Sequence, residues 1–145
     1  MMSKFGSSFC YKVIYVFEIN AETHKGLVKV GDASLYTDNP IDSLAPNSRE
    51  LNQAALARIK QYTNTAGLTP RLLHTELAVR TEKNADGLLE LKPFRDYDVH
   101  RVLVNSGIHK RQIKNTSGKE WFEADLQTVR KAIDAAVSYT HLTLP

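Results

Sequence analysis

CYKVIYVFEI, Cys10 to Ile19, decides the fold. Tyr11, Val13, Tyr15, Phe17 and Ile19 alternate onto one face, while Ile14 and Val16 put apolar side chains on the other. A strand that is apolar on both sides must be covered above and below, which predicts a central strand between two layers. NAETHKG then turns the chain, and LVKVG, Leu27 to Gly31, reads as a second strand closing a hairpin with a longish loop. The polar, proline-punctuated DASLYTDNPIDSLAP that follows is expected to be a loop.

Beyond it, Asn47 and Glu50 have the spacing of a capping box for a helix from about Ser48 to Tyr62. LLHTELAVR, Leu72 to Arg80, alternates with Leu73, Leu77 and Val79 inward, a half-buried third strand that leaves His74, Glu76 and Arg80 to solvent. TEKNADG is expected to be a turn. A second helix is predicted from Phe94 to Ser106, with Gly107 in the stop position. EWFEA reads as a short strand or turn, and Asp125 as the cap of a last helix whose Leu126, Val129, Ile133 and Val137 form one stripe. The order predicts an α+β domain, with a small mixed or antiparallel three-stranded sheet flanked by helices.

With 145 residues, 42% hydrophobic and 24% charged, the chain reads as one globular domain able to close a core without disulfides or a structural metal. Its single cysteine, Cys10, excludes an internal disulfide framework and a cysteine-rich zinc site. No apolar run approaches the roughly 20 residues of a membrane helix, and no signal-peptide core precedes the first strand. A cytoplasmic protein is expected. The net charge of +3 permits a polyanionic partner without requiring one. SYTHLTLP, Ser138 to Pro145, drops the helical pattern and resembles translated adaptor sequence. The domain is therefore drawn over residues 1–137, with 138–145 as a non-native tail and further C-terminal domains expected in the natural chain.

Several polar residues sit where packing alone does not call for them. Leu51, Ala55, Arg58 and Tyr62 fall at i, i+4, i+7 and i+11 on one helical stripe. Arg58 there either snorkels past Ala55 or pairs with a carboxylate, or it presents a guanidinium to a phosphate. Asp96 and His100, one turn apart beside Val99 and Leu103, are either a local hydrogen-bonded pair or the edge of a site for a hard divalent cation. Asp98 falls on the opposite side with Arg101 and is expected at the surface. Tyr15 is either core or a site residue, and Lys29 is a charge set among Leu27, Val28 and Val30.

In order along the chain, VIY (13–15), KVG (29–31), ARIKQY with Arg58 and Tyr62, DYDVH (96–100) and the ending GKEWFEADLQTVRKAI resemble the GIY-YIG nuclease family. The closest likeness is to its phage-type subclass, which writes K-I-G where other members have Y-I-G. Val13 stands for the first motif's glycine, Val28 for the tyrosine of Y-K-I-G, and Asp96 for the usual glutamate. The resemblance implies a metal-dependent endonuclease domain hydrolysing the phosphodiester bonds of DNA. Tyr15 would be the general base, tuned by Lys29; Arg58 would clamp the phosphate and Tyr62 position it. Asp96 would hold one Mg2+ or Mn2+, with His100 orienting that carboxylate. Independently, HKRQIKNTSGK offers Lys110, Arg111, Lys114 and Lys119 to DNA phosphates with no acidic residue among them. The alternative expectation is a catalytically weak or inactive DNA-binding module of the same fold, favoured by the shortened carboxylate at Asp96.

Overall fold

The computed structural model describes residues 9–63, 67–113 and 121–142, the side chains of Phe9, Tyr62 and residues 137–142 apart. Lys114 and Lys119 lie outside the described residues, as does the side chain of Tyr62.

The central strand is β1, Phe9–Ile19, with β2, Lys29–Thr37, and β3, Pro70–Leu77, on its two sides. The order β2-β1-β3 is antiparallel throughout. Helix α1, Arg49–Thr63, connects β2 to β3. A hairpin of β4, Val79–Lys83, and β5, Leu89–Pro93, leads into α2, Asp96–Asn105. A two-residue pair, β6, Lys110–Arg111, and β7, Trp121–Phe122, precedes α3, Leu126–Leu142. No helix among the described residues is long and apolar enough to cross a membrane.

Alternation along β1 makes the layers. Ile14 and Val16 join Val28, Val30, Val99, Leu103, Val129 and Ile133 in a core against α2 and α3. Tyr15, Phe17 and Ile19 face the other way, onto Ala55 and Ile59 of α1 and Trp121, with Val13, Leu35, Leu51 and Leu77 alongside. The α+β class and the three-stranded antiparallel sheet flanked by helices thus follow from one strand that is apolar on both faces.

Four local expectations are corrected. DASLYT continues β2 to Thr37: Ala33, Leu35 and Thr37 are buried while Ser34 and Tyr36 are exposed, so the segment is an edge strand with one wet face. TEKNADG lies within a hairpin whose turn is closed by Asn84, its Oδ1 accepting the Asp86 and Leu88 amides at 2.9 and 3.0 Å. Asn47 does not cap α1. Its backbone amide donates to Thr75 O at 2.9 Å and its Oδ1 accepts the Thr75 amide at 3.0 Å, so it pairs with the free edge of β3 from a left-handed conformation, φ 65°. The helical backbone of α3 also runs on past Val137 to Leu142.

His74 and Glu76 are buried rather than solvated. The Asn47 amide nitrogen lies 3.2 Å from His74 Nδ1, and His74 Nε2 lies 2.8 Å from Glu76 Oε1. Because Asn47 Oδ1 is taken by the Thr75 amide, its NH2 group faces the imidazole, which makes Nδ1 an acceptor and Nε2–H the donor to Glu76. Arg80 closes the chain, 2.8 Å from Glu76 and 2.9 Å from Asp134 on α3.

Candidate nucleic-acid and metal site on the edge of β2

The outer edge of β2 is occupied in sequence along its length. Val28 exchanges two backbone hydrogen bonds with Phe122, at 3.0 and 2.9 Å, which seats β7 beside it. His100 Nε2–H donates to Val30 O at 2.7 Å, with its ring against Phe122. Two residues further on, Asp32 receives the start of α2: its carboxylate accepts from Arg95 Nε at 2.8 Å and from the Asp96 amide at 3.1 Å. An acid at a helix N-terminus is stabilised by the unpaired amides there. Beyond Asp32 the α2 layer ends, and Lys12 Nζ donates to Ser34 Oγ at 2.8 Å across the ribbon.

Here a cleft of about 460 Å³ opens, lined by Lys12, Asp32, Ser34 and Arg95 from one side and by Arg58 and Gln61 of α1 from the other. The buried stripe of α1 is Leu51, Ala55 and Ile59. Arg58 stands at its margin, exposed, hydrogen-bonded to Gln61 one turn on. It therefore occupies the mouth of the cleft rather than the middle of the apolar stripe.

The two carboxyl groups at the edge are shifted in opposite directions. Burial, then the charge of Asp32, push Asp96 above the usual carboxylate range, partly offset by His100. Burial alone would raise Asp32 too. Hydrogen bonds from Arg95 and the Asp96 amide, with the charges of Arg95 and Lys12, outweigh it and hold Asp32 below that range.

Tyr15 is 1% exposed on the α1 face and lies under the strand rather than on the cleft lining. It is paired directly with Gly31, where a Cβ would come within 2.5 Å of the Tyr15 hydroxyl oxygen. Lys29, half-buried, lies on the same face two pairs further along, opposite Phe17. Asp98 is buried, not surface: its carboxylate accepts the Arg95 amide at 2.8 Å and closes the first turn of α2. Lys110 and Arg111 are exposed on β6, where Arg111 lies 3.4 Å from Glu123.

Of the sequence-predicted site residues, Arg58 lines the cleft; Asp96 is tied to that lining by its amide's hydrogen bond to Asp32, and Tyr15 and Lys29 lie outside the lining, on the α1 face of the sheet. Sequence reasoning missed Asp32, Arg95 and Lys12. The signal for Asp32 was its position directly after Gly31 on what proved to be a continuing strand.

A hard divalent cation takes oxygen ligands and is commonly held by one or two carboxylates with several waters. Asp96 and Asp32 are two such carboxylates; the Asp96 carboxyl is raised first by burial and then by the charge of Asp32, and a cation would relieve the second of these. Among the described residues no group of three or more His, Cys, Asp or Glu side chains could hold a metal.

No protein-family model matches the chain, and no curated protein or solved structure matches it either.

Proposed function

We propose that this chain is a metal-dependent DNA endonuclease domain of the GIY-YIG type. The observation that carries this is Arg58 facing Asp32 across one cleft at the edge of β2, with the Asp96 amide hydrogen-bonded to the Asp32 carboxylate. Phosphodiester hydrolysis needs cationic groups on the phosphoryl oxygens and a carboxylate that seats a metal beside them. Arg58 gripping the phosphate bidentately and Asp96 holding Mg2+ or Mn2+ supply that pair of functions. The ion would neutralise developing charge on the phosphoryl and leaving oxygens.

In this assignment His100 acts on Asp96 by fixing α2 against β2 through Val30 O and by its charge. Tyr15 takes the attacking water's proton once the ribbon above it gives access, and Lys29 on the same face favours the phenolate. Lys110 and Arg111 hold flanking phosphates. The protein would work on DNA in the cytoplasm.

A second function is favoured by one specific observation. Tyr15 is buried, and Arg95 already neutralises Asp32. Those features suit a DNA-binding module of the same fold that cuts weakly or not at all.

Nicking of supercoiled plasmid with Mg2+ or Mn2+ separates the two. Cutting by the wild type that is lost in Arg58→Ala and in Asp96→Ala supports the nuclease. Plasmid binding without any cutting supports the binding module.

A further inference from the structure

Along β2, Asp32, Ser34 and Tyr36 share one face, and β1 places Lys12 and Cys10 opposite Ser34 and Tyr36. Ser34 and Lys12 line the cleft. Tyr36 lies two residues further on, 66% exposed and paired in register with Cys10 of β1. On the α2 side the same relation recurs. Arg95 lines the cleft, and Tyr97, two residues on, is 53% exposed with the Arg95 guanidinium 5.7 Å from its ring centre. A single exposed tyrosine has no particular meaning. Here Tyr36 leaves an open aromatic face two residues from a cationic cleft, while Tyr97 carries the Arg95 guanidinium over its ring; cations beside exposed aromatics are the composition that grips unpaired nucleic acid.

We infer that the cleft takes DNA as an unpaired strand, its phosphate at Lys12 and Arg58 and the neighbouring base stacked on Tyr36. This rests on the DNA reading above and adds the form of the substrate. Ser34 and Tyr36 are about 6.6 Å apart along the strand, roughly twice the 3.4 Å rise of a base stacked in a duplex. That spacing fits an unstacked, extended chain whose next base has a free face. In a duplex both faces of each base are already covered by its neighbours, so Tyr36 has nothing to stack on.

Fluorescence anisotropy without divalent metal tests the inference apart from cleavage, using a labelled single-stranded oligonucleotide and its duplex. Tyr36→Ala should weaken single-strand binding about 10-fold, Tyr36→Phe should preserve it, and duplex binding should stay within about twofold. Arg58→Ala should weaken both forms, because it removes a phosphate contact. If Tyr36→Ala leaves single-strand binding unchanged, or weakens the duplex equally, the stacking role is overturned while the DNA reading stands. If the wild type binds neither form, both fall together.

Discussion

Asp32 of β2 and Asp96 of α2 meet at the edge of the sheet with their carboxyl groups displaced to opposite sides of the normal carboxylate range. The Asp32 carboxylate accepts the Asp96 amide, so one residue anchors the helix whose first residue carries the other.

Opposite effects on stability follow. Asp32, held below its unfolded pKa of about 4, contributes stability that is complete above that value and is lost as pH falls through the folded one. Asp96 is held above, so folding becomes less favourable as pH rises from about 4 through its folded pKa. At neutral pH, Asp32→Ala should cost about 2 kcal/mol, while Asp96→Asn should raise the melting temperature. Thermal melts from pH 3 to 8 check both, and a stabilising Asp32→Ala would contradict the pairing with Arg95.

Metal addition gives a second test on the same pair. Mg2+ or Mn2+ that binds the folded form raises its melting temperature by mass action. Wild type should therefore gain with metal and Asp96→Asn should not, whether or not the protein cuts DNA. Equal gains in both would remove Asp96 as a ligand.

Gly31→Ala should be disruptive although alanine is small. The added Cβ would lie 2.5 Å from the Tyr15 hydroxyl oxygen and 2.6 and 2.8 Å from two ring carbons, and the ring is packed against Phe17 and Ala55 with little room to move. A cost of about 1–3 kcal/mol is expected. Tyr15→Phe should not rescue it, since both ring carbons remain. Chemical denaturation of the single and double variants would show this, and full recovery with phenylalanine would place the conflict at the hydroxyl alone.

What the sequence revealed follows from how periodicity carries information. The apolar pattern on both faces of β1 was enough for the sheet and its two covering layers, because it holds for every residue from Val13 to Phe17. The continuation of β2 was hidden, since Asp32, Ser34 and Tyr36 face solvent or the helix start and read as loop chemistry. His74 and Glu76 were assigned to solvent by the alternation of β3, opposite Leu73 and Leu77. Their burial depends on Asn47 and Arg80, which no local pattern brings to them. Arg58 was legible as an anomaly, yet its partners in the cleft come from β1, β2 and the start of α2, at separations that spacing does not encode.

The His74–Glu76–Arg80 chain gives a graded stability prediction. His74 and Glu76 are buried and satisfied, so Glu76→Ala leaves a buried imidazole N–H without its acceptor and takes one of the two carboxylates from Arg80, and should cost about 3 kcal/mol. Asp134, largely exposed, contributes a surface contact to the same Arg80, and Asp134→Ala should cost under about 1 kcal/mol. Comparable losses in the two variants would show that burial does not set the strength of this chain.

Asp96 and Asp98 offer the sharpest separation of function from structure. They are two residues apart in one helix; helical spacing set Asp96 beside the apolar stripe and Asp98 at the surface, and the second expectation is the one the burial of Asp98 corrects. Asp98 accepts the Arg95 amide at the entry to α2 and is 4% exposed, so its loss leaves that amide without this acceptor. Asp98→Ala should cost about 1–2 kcal/mol, a fall of several degrees in melting temperature for a domain of this size. Asp96 instead carries a charge that burial and Asp32 oppose. Asp96→Ala should leave the fold at least as stable at neutral pH while abolishing the metal-dependent rise in melting temperature. Melting curves of both variants with and without Mn2+ read the two effects together. If Asp98→Ala loses the metal response with no loss of stability, the roles of the two aspartates are reversed.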